Sequence, residues 1–229
     1  MAFAYVLVSF SASVVKSPNF SALADKVANG EVSFLPVTVI SAILLFILRE
    51  ILEAIKKKRE SKRKLFAYKS LLAEELELNL WAQRQLLGII NEIEEQEKDH
   101  PDAKYTLVIK ETGKEYIQGR DGDQFIFGCP IPPVQDKYYE VFISNIAELD
   151  EKLFDLAQSS YEEVRNMAHV RNGLIEGLLA DQNDEPYPHD IRKSGFFHYA
   201  KNELPDTFDA MNALYVECTG KQLKNFRLR

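Results

Sequence analysis

One long uncharged and largely apolar stretch stands out in the hydropathy pattern of the chain. No charged residue occurs from Val32 to Leu48, and apolar residues continue among the first returning charges as far as Ile55. A helix needs about 20 mostly apolar residues to cross the ~30 Å core of a bilayer. The pattern therefore predicts a transmembrane helix over residues 32–55. The alternative interpretation is a buried core helix that is followed by a solvated run of charges.

A basic run follows this stretch directly, between residues 56 and 64. Its basic residues are Lys56, Lys57, Lys58, Arg59, Lys62, Arg63 and Lys64. Basic residues beside a span stay on the cytoplasmic side of the membrane, which predicts that residues 65–229 form a cytoplasmic domain. A basic collar next to a span also favours contact with anionic lipid headgroups, so these seven side chains are the predicted lipid-binding residues.

The N-terminal residues 1–31 are predicted to form a short apolar segment and an extracytoplasmic linker. The apolar part, Ala2–Val15, would be ~21 Å long as a helix, which is shorter than a full crossing. Three alternatives remain open for it: a short first span that forms a hairpin with the second, an interfacial segment, or part of an oligomeric pore wall. The hairpin is favoured, which gives one or two spans in all.

Residues beyond the basic run predict an amphipathic helix over Leu65–Glu97. Its apolar face is wide, which favours a helical bundle over a two-stranded coiled coil. Asn79 falls in the apolar seam and is interpreted either as a polar residue that fixes register or as an exposed side chain. The nearby Glu74, Glu75 and Glu77 are interpreted as a solvated outer face.

The middle of the chain changes from helical to strand periodicity near residues 104–128. Lys104–Lys110 is rich in β-branched and aromatic residues, and two further short runs, 115–118 and 124–127, flank a turn at Asp121-Gly122. These features predict a small antiparallel β insertion of two or three strands.

Helical periodicity returns near Tyr138. The pattern predicts a short helix, a break capped by Asn145 or Asp150, and a long helix over Leu149–Leu178. A polar loop is expected over 181–194, and a last helix is expected to start at Asp206 after Pro205. The predicted fold is mainly α: an N-terminal transmembrane helix or helical hairpin, followed by a cytoplasmic antiparallel helical bundle with a small β-hairpin insertion.

Charge and cysteine content narrow the function classes. The formal net charge is −7, and the basic run contributes +6 (seven basic residues and Glu60), so the rest of the chain carries −13. Such an acidic body argues against direct nucleic-acid binding, which needs clustered Lys and Arg. Cys129 and Cys218 are expected to be free thiols because the domain is placed in the cytoplasm.

No motif predicts catalysis, a cofactor or a metal site. The four histidines, His100, His169, His189 and His198, lack metal-ligand spacing. The stretch 219–222 lacks the first glycine and the hydroxyl residue of a phosphate-binding loop. The sequence therefore predicts a protein that is not an enzyme and binds no cofactor.

The order of the Met1–Ile55 membrane portion, the Lys56–Lys64 collar and the Leu71–Asn79 helix resembles the small transmembrane effectors of bacterial retron anti-phage systems. The resemblance implies a bacterial inner-membrane protein whose partner is a reverse transcriptase with its RNA–DNA product. It further implies abortive infection by membrane damage once that partner complex releases the effector, with self-association into an oligomer as one route. The alternative hypothesis is a membrane-tethered adaptor or scaffold whose bundle binds a cytosolic protein.

Overall fold

The computed structural model describes residues 37–183 and 195–224, and the chain divides into two units, Met1–Arg59 and Glu60–Arg229. The described residues form four helices and one three-stranded antiparallel sheet. In chain order the elements are α1 (Val37–Asp99), β1 (Lys104–Ile109), β2 (Glu115–Asp121), β3 (Gln124–Pro130), α2 (Lys137–Leu149), α3 (Glu151–Asn183) and α4 (Phe196–Thr219). The prediction of a mainly helical fold with a small β insertion is confirmed.

The N-terminal part of α1 carries the described portion of the predicted span. All described side chains from Ser41 to Glu60 are exposed. Among the helices of residues 37–183 and 195–224, none combines the length and the apolar content that a membrane crossing requires. The predicted span starts at residue 32, and its first five residues lie outside the described part of the chain. The prediction for Ala2–Val15 lies wholly outside it as well.

The second half of α1 supplies one wall of the core of residues 60–229. Leucines and isoleucines that recur mostly at intervals of three or four bring their side chains onto one wide stripe of the helix, where they are buried. They are Leu72, Leu76, Leu80, Leu86, Ile90 and Ile93. The helix ends before His100-Pro101, as predicted, and the His100 N–H donates to the Gln96 carbonyl at 2.7 Å.

The β insertion is a meander in the order β1-β2-β3, with both strand pairs antiparallel. Alternate residues face the helices, so Tyr105, Leu107 and Ile117 are buried while Val108 on the opposite face is exposed. The predicted antiparallel insertion is confirmed, and of the two open strand counts it has three; β2 and β3 each run three residues further than predicted. Gly122 makes the tight turn between them at a φ of 56°.

Asp150 marks the break between α2 and α3. It is the C-cap of α2. Its carboxylate also accepts the Leu153 N–H at 3.1 Å, which satisfies an otherwise unpaired donor in the first turn of α3. Of the two predicted caps, Asp150 is therefore the one used. Helix α3 runs to Asn183, so the predicted loop boundary at Asp181 is wrong by one helical turn; residues 184–194 are outside the described part.

The start predicted for the last helix at Asp206 is wrong. Helix α4 begins ten residues earlier, at Phe196, and Pro205 lies inside it. An interior proline costs about 3 kcal/mol because it removes a backbone hydrogen bond. Burial of Phe197, Ala200 and Leu204, which recur at helical spacing before the proline, offsets that cost.

Candidate functional site

The predicted lipid-binding residues form a continuous basic segment of α1. All seven basic side chains of residues 56–64 are exposed. Because Lys56, Lys57, Lys58 and Arg59 are consecutive, their side chains leave the helix in all directions rather than from one face. A run of this kind presents positive charge around the whole circumference of the helix rather than in a shaped pocket.

A buried carboxylate lies deeper in the second unit. Glu75 on α1 is only 2% exposed, which contradicts its interpretation as part of a solvated face. Three donors converge on it: the Tyr138 N–H at 2.7 Å, the Tyr139 N–H at 3.3 Å and the Tyr161 hydroxyl at 2.5 Å. The two backbone donors belong to the first turn of α2, where helix N–H groups lack internal partners. Glu75 therefore caps α2 from a different helix.

Two opposing effects act on the Glu75 carboxyl. Burial raises its pKa above the ordinary value of 4.5, while the hydrogen bonds from Tyr138, Tyr161 and Tyr139 oppose that rise. Burial also raises the pKa of the Tyr161 hydroxyl well above 10.0, with the neighbouring Glu75 charge as the second cause. The phenol therefore remains a donor at neutral pH, and the pair acts as a hydrogen-bonded tie.

Two more buried polar residues follow Glu75 on the same stripe of α1, at intervals of four. The Asn79 side chain donates to the Gln135 carbonyl at 2.6 Å and accepts the Gln135 N–H at 2.8 Å. Gln83 donates to the Leu204 carbonyl of α4. Asn79 is fully buried, so of its two interpretations the exposed one is wrong. We call Glu75, Asn79 and Gln83 the polar ladder.

The hydrogen bonds of the polar ladder serve to hold the fold together. Glu75 and Gln83 bind the main chain of another helix, Asn79 binds the main chain of the loop before α2, and Glu75 binds a phenol as well. Since buried polar groups are costly unless paired, these contacts select one arrangement of α1 against α2 and α4. The ladder fixes the domain but offers no open group to a substrate.

An open cavity of about 590 Å³ lies beside the ladder, between α1, the sheet and α3. Its walls include Trp81, Tyr116, Lys114, Pro133 and Arg171. The Arg171 guanidinium pairs with the Glu115 carboxylate and donates to the Pro132 carbonyl at 2.8 Å. We call this space the Trp81 cavity.

The residues that line the Trp81 cavity escaped the sequence prediction. They come from four separate parts of the chain, and none belongs to a motif. The one available signal is Trp81 itself, the only tryptophan, which is placed on the amphipathic helix but is left partly exposed.

The histidines do not assemble into a site among the described residues. The His100 ring nitrogen lies 2.9 Å from the Asp121 carboxylate, which joins the end of α1 to the β2–β3 turn. His198 contacts Asn202 on its own helix. In residues 37–183 and 195–224, no three metal-ligating side chains cluster. His189 lies outside those ranges.

The cysteines are free thiols with suppressed reactivity. Burial raises the pKa of Cys129 to about 11 and that of Cys218 to about 12. The thiolate is the nucleophilic form, so neither group suits nucleophilic catalysis at neutral pH. Gly220, from the rejected phosphate-loop resemblance, ends α4 with a left-handed φ of 72°.

No family model matches the chain, and comparisons with curated proteins and with solved structures find no match either.

Proposed function

We propose that this protein is a membrane-anchored effector. In this proposal the apolar segment 32–55 enters the bilayer and the Lys56–Lys64 run binds anionic headgroups. The domain of residues 60–229 binds the protein partner that restrains the effector. The partner class implied by the resemblance is a reverse transcriptase with its RNA–DNA product, and the outcome is abortive infection through damage to the bacterial inner membrane.

The observation that carries the proposal is the exposure of apolar side chains around α1. Ten large apolar side chains between Val39 and Ile55 are exposed, six of them consecutive, from Ile43 to Leu48. Six consecutive helical residues cover the whole circumference, so a single protein face could not shield them all. A helix that is apolar all round belongs in a large protein core or in a membrane.

The energies favour a bilayer as the environment of this segment. Each large apolar side chain gains ~1.5–3 kcal/mol when it is fully buried, so ten half-exposed ones gain roughly 10 kcal/mol. The basic run adds about 1 kcal/mol per Lys or Arg near an anionic surface. Its net charge of +6 (seven basic residues minus Glu60) makes this second contribution similar in size but sensitive to salt.

A membrane-tethered adaptor is the second candidate, favoured by the outer face of the sheet. Val108 and Phe125 are exposed there, and the Lys110 ammonium lies 4.0 Å from the centre of the Tyr116 ring. Exposed aliphatic and aromatic groups beside a cation suit a protein-binding surface. In this case the apolar segment only localises the domain.

The test is to induce the full chain alone in bacteria and to follow membrane potential and membrane association. We expect the chain to resist carbonate extraction and to depolarise the membrane before growth stops. The double variant Leu45→Lys with Phe46→Lys should lose both properties. The matched control, Leu45→Ile with Phe46→Leu, should retain both.

Replacement of residues 39–48 with an unrelated leucine-rich run of equal length separates the two candidates. An effector should stay in the membrane but stop depolarising it, whereas a tether should be unaffected. A normal potential at high membrane levels of the unaltered chain would contradict the effector and favour the adaptor. A chain that washes off the membrane would contradict both.

A further inference from the structure

The Trp81 cavity has the size and wall rigidity of a ligand site. Small-molecule sites in proteins are typically concave and about 300–1,000 Å³, with mostly apolar walls and a few polar groups. This cavity falls in that range at about 590 Å³. Two aromatic side chains, Trp81 and Tyr116, line it without being buried in the core.

The walls of the cavity are fixed by contacts that do not involve its interior. The Ile131 N–H donates to the Glu115 carbonyl at 2.9 Å, and Arg171 holds the Pro132 carbonyl. Asn79 clamps both backbone groups of Gln135. Prolines 130, 132 and 133 restrict the intervening backbone further. A site that is ordered before binding loses less entropy when a ligand enters.

The charges in the cavity leave one cation uncompensated. Glu115 and Arg171 neutralise each other as an ion pair. Lys114 also lines the cavity, and within the described part of the chain its ammonium has no partner. The Trp81 indole N–H likewise has no acceptor among the described residues. The cavity therefore offers aromatic surface and spare donors, and its one carboxylate is already paired.

We propose that the Trp81 cavity binds a small aromatic anion, with its ring against Trp81 and Tyr116 and its carboxylate or phosphate on Lys114. Ring stacking on Trp and Tyr supplies the apolar part of the affinity. A charge-assisted hydrogen bond from Lys114 selects the anion over a neutral analogue. The site is independent of whether the apolar segment of α1 enters a bilayer.

The single tryptophan gives a direct readout, because its indole N–H yields one cross-peak in a ¹H–¹⁵N spectrum of the full chain in lipid nanodiscs. Two pairs of probes distinguish the source of the anion: AMP against adenosine, and indole-3-acetate against indole-3-acetamide. We expect one anion to shift the Trp81 peak saturably, with Kd on the order of 1 mM or tighter. The responsive pair assigns a phosphate or a carboxylate ligand.

Substitution of Lys114 tests the role of its charge. Lys114→Ala should weaken the responding anion about tenfold, as expected for the loss of a hydrogen bond to a charged group. Lys98→Ala, at an exposed position near the end of α1, is the matched control and should leave the affinity unchanged. The proposal is overturned if neither anion shifts the peak. It is equally overturned if the neutral analogues bind as well as the anions, or if Lys114→Ala binds like the unaltered chain.

Discussion

Replacement of Glu75 by leucine tests whether one buried carboxylate holds α1, α2 and α3 together. The change keeps the side-chain volume roughly constant but leaves the Tyr138 N–H, the Tyr139 N–H and the Tyr161 hydroxyl without their acceptor. Each buried donor that is left unsatisfied costs about 1–3 kcal/mol. Removal of a buried charge returns part of this, because burial penalises the ionised form. We expect a net loss of about 2–5 kcal/mol in the free energy of unfolding.

Thermal unfolding of the full chain in a nonionic detergent, followed by circular dichroism, measures this loss. For a domain of this size 1 kcal/mol corresponds to about 2–4 °C, so the Tm should fall by roughly 5–15 °C. Glu95→Gln, on the exposed side of the same helix, should change stability by no more than about 0.5 kcal/mol.

The pH dependence of the same comparison gives a second signature. Because the folded-state pKa of Glu75 lies above its ordinary value of 4.5, the folded form binds more protons just above that pH. The resulting contribution to the free energy of unfolding is fully present below pH 4.5 and is lost as pH rises through the folded-state pKa. As pH rises, the unaltered chain should therefore lose this part of its stability, whereas Glu75→Leu should not. The difference in unfolding free energy between the two should narrow. A Glu75→Leu variant as stable as the unaltered chain at every pH would refute the capping role.

Two further predictions concern glycines and thiols. Gly119→Ala should destabilise the domain by about 1–3 kcal/mol, because the added methyl group would lie 2.9 Å from Cε1 of Tyr105. Gly88→Ala, exposed in α1 with no neighbouring atom within 4 Å, should stabilise it by about 0.5–1 kcal/mol; equal melting shifts for the two would contradict the packing described for β2. In thiol titration at pH 8, Cys129 should react roughly 100-fold more slowly than an exposed cysteine, since its pKa is about 11 rather than 9.0. The rate should rise about tenfold per pH unit, and unfolding in guanidinium should abolish the difference.

Sequence periodicity predicted the helices and strands well because side-chain burial in this domain follows the simple periods of 3.6 and 2. The buried stripe of α1 and the alternation in β1 are direct examples. The start of α4 was missed because Pro205 is a strong local signal for a helix boundary. The burial of Phe197 and Leu204, which outweighs it, depends on the rest of the fold.

The polar ladder and the Trp81 cavity show a different limit of sequence reasoning. Glu75 stands between Glu74 and Glu77, and nothing in that local pattern distinguishes the buried carboxylate from its neighbours. Its partners are 63 to 86 residues away along the chain. The cavity is similar, because Trp81, Lys114 and Arg171 line the same space only when α1, the β1–β2 turn and α3 pack together. The basic run, by contrast, is continuous in sequence, so the sequence alone predicts the exposure of its seven basic side chains, and their contact with lipid stays a prediction.

The backbone partners of the ladder have a consequence for how this protein can evolve. Asn79 binds the main chain of Gln135, so the side chain at 135 can change freely as long as it is not proline. Gln83 likewise binds only the Leu204 carbonyl, but the Leu204 side chain is fully buried, so position 204 still requires an apolar residue. Natural relatives should therefore keep the identities at 75, 79 and 83 while position 135 drifts. Covariation methods detect compensating pairs, so they would overlook the contacts that join these elements most specifically.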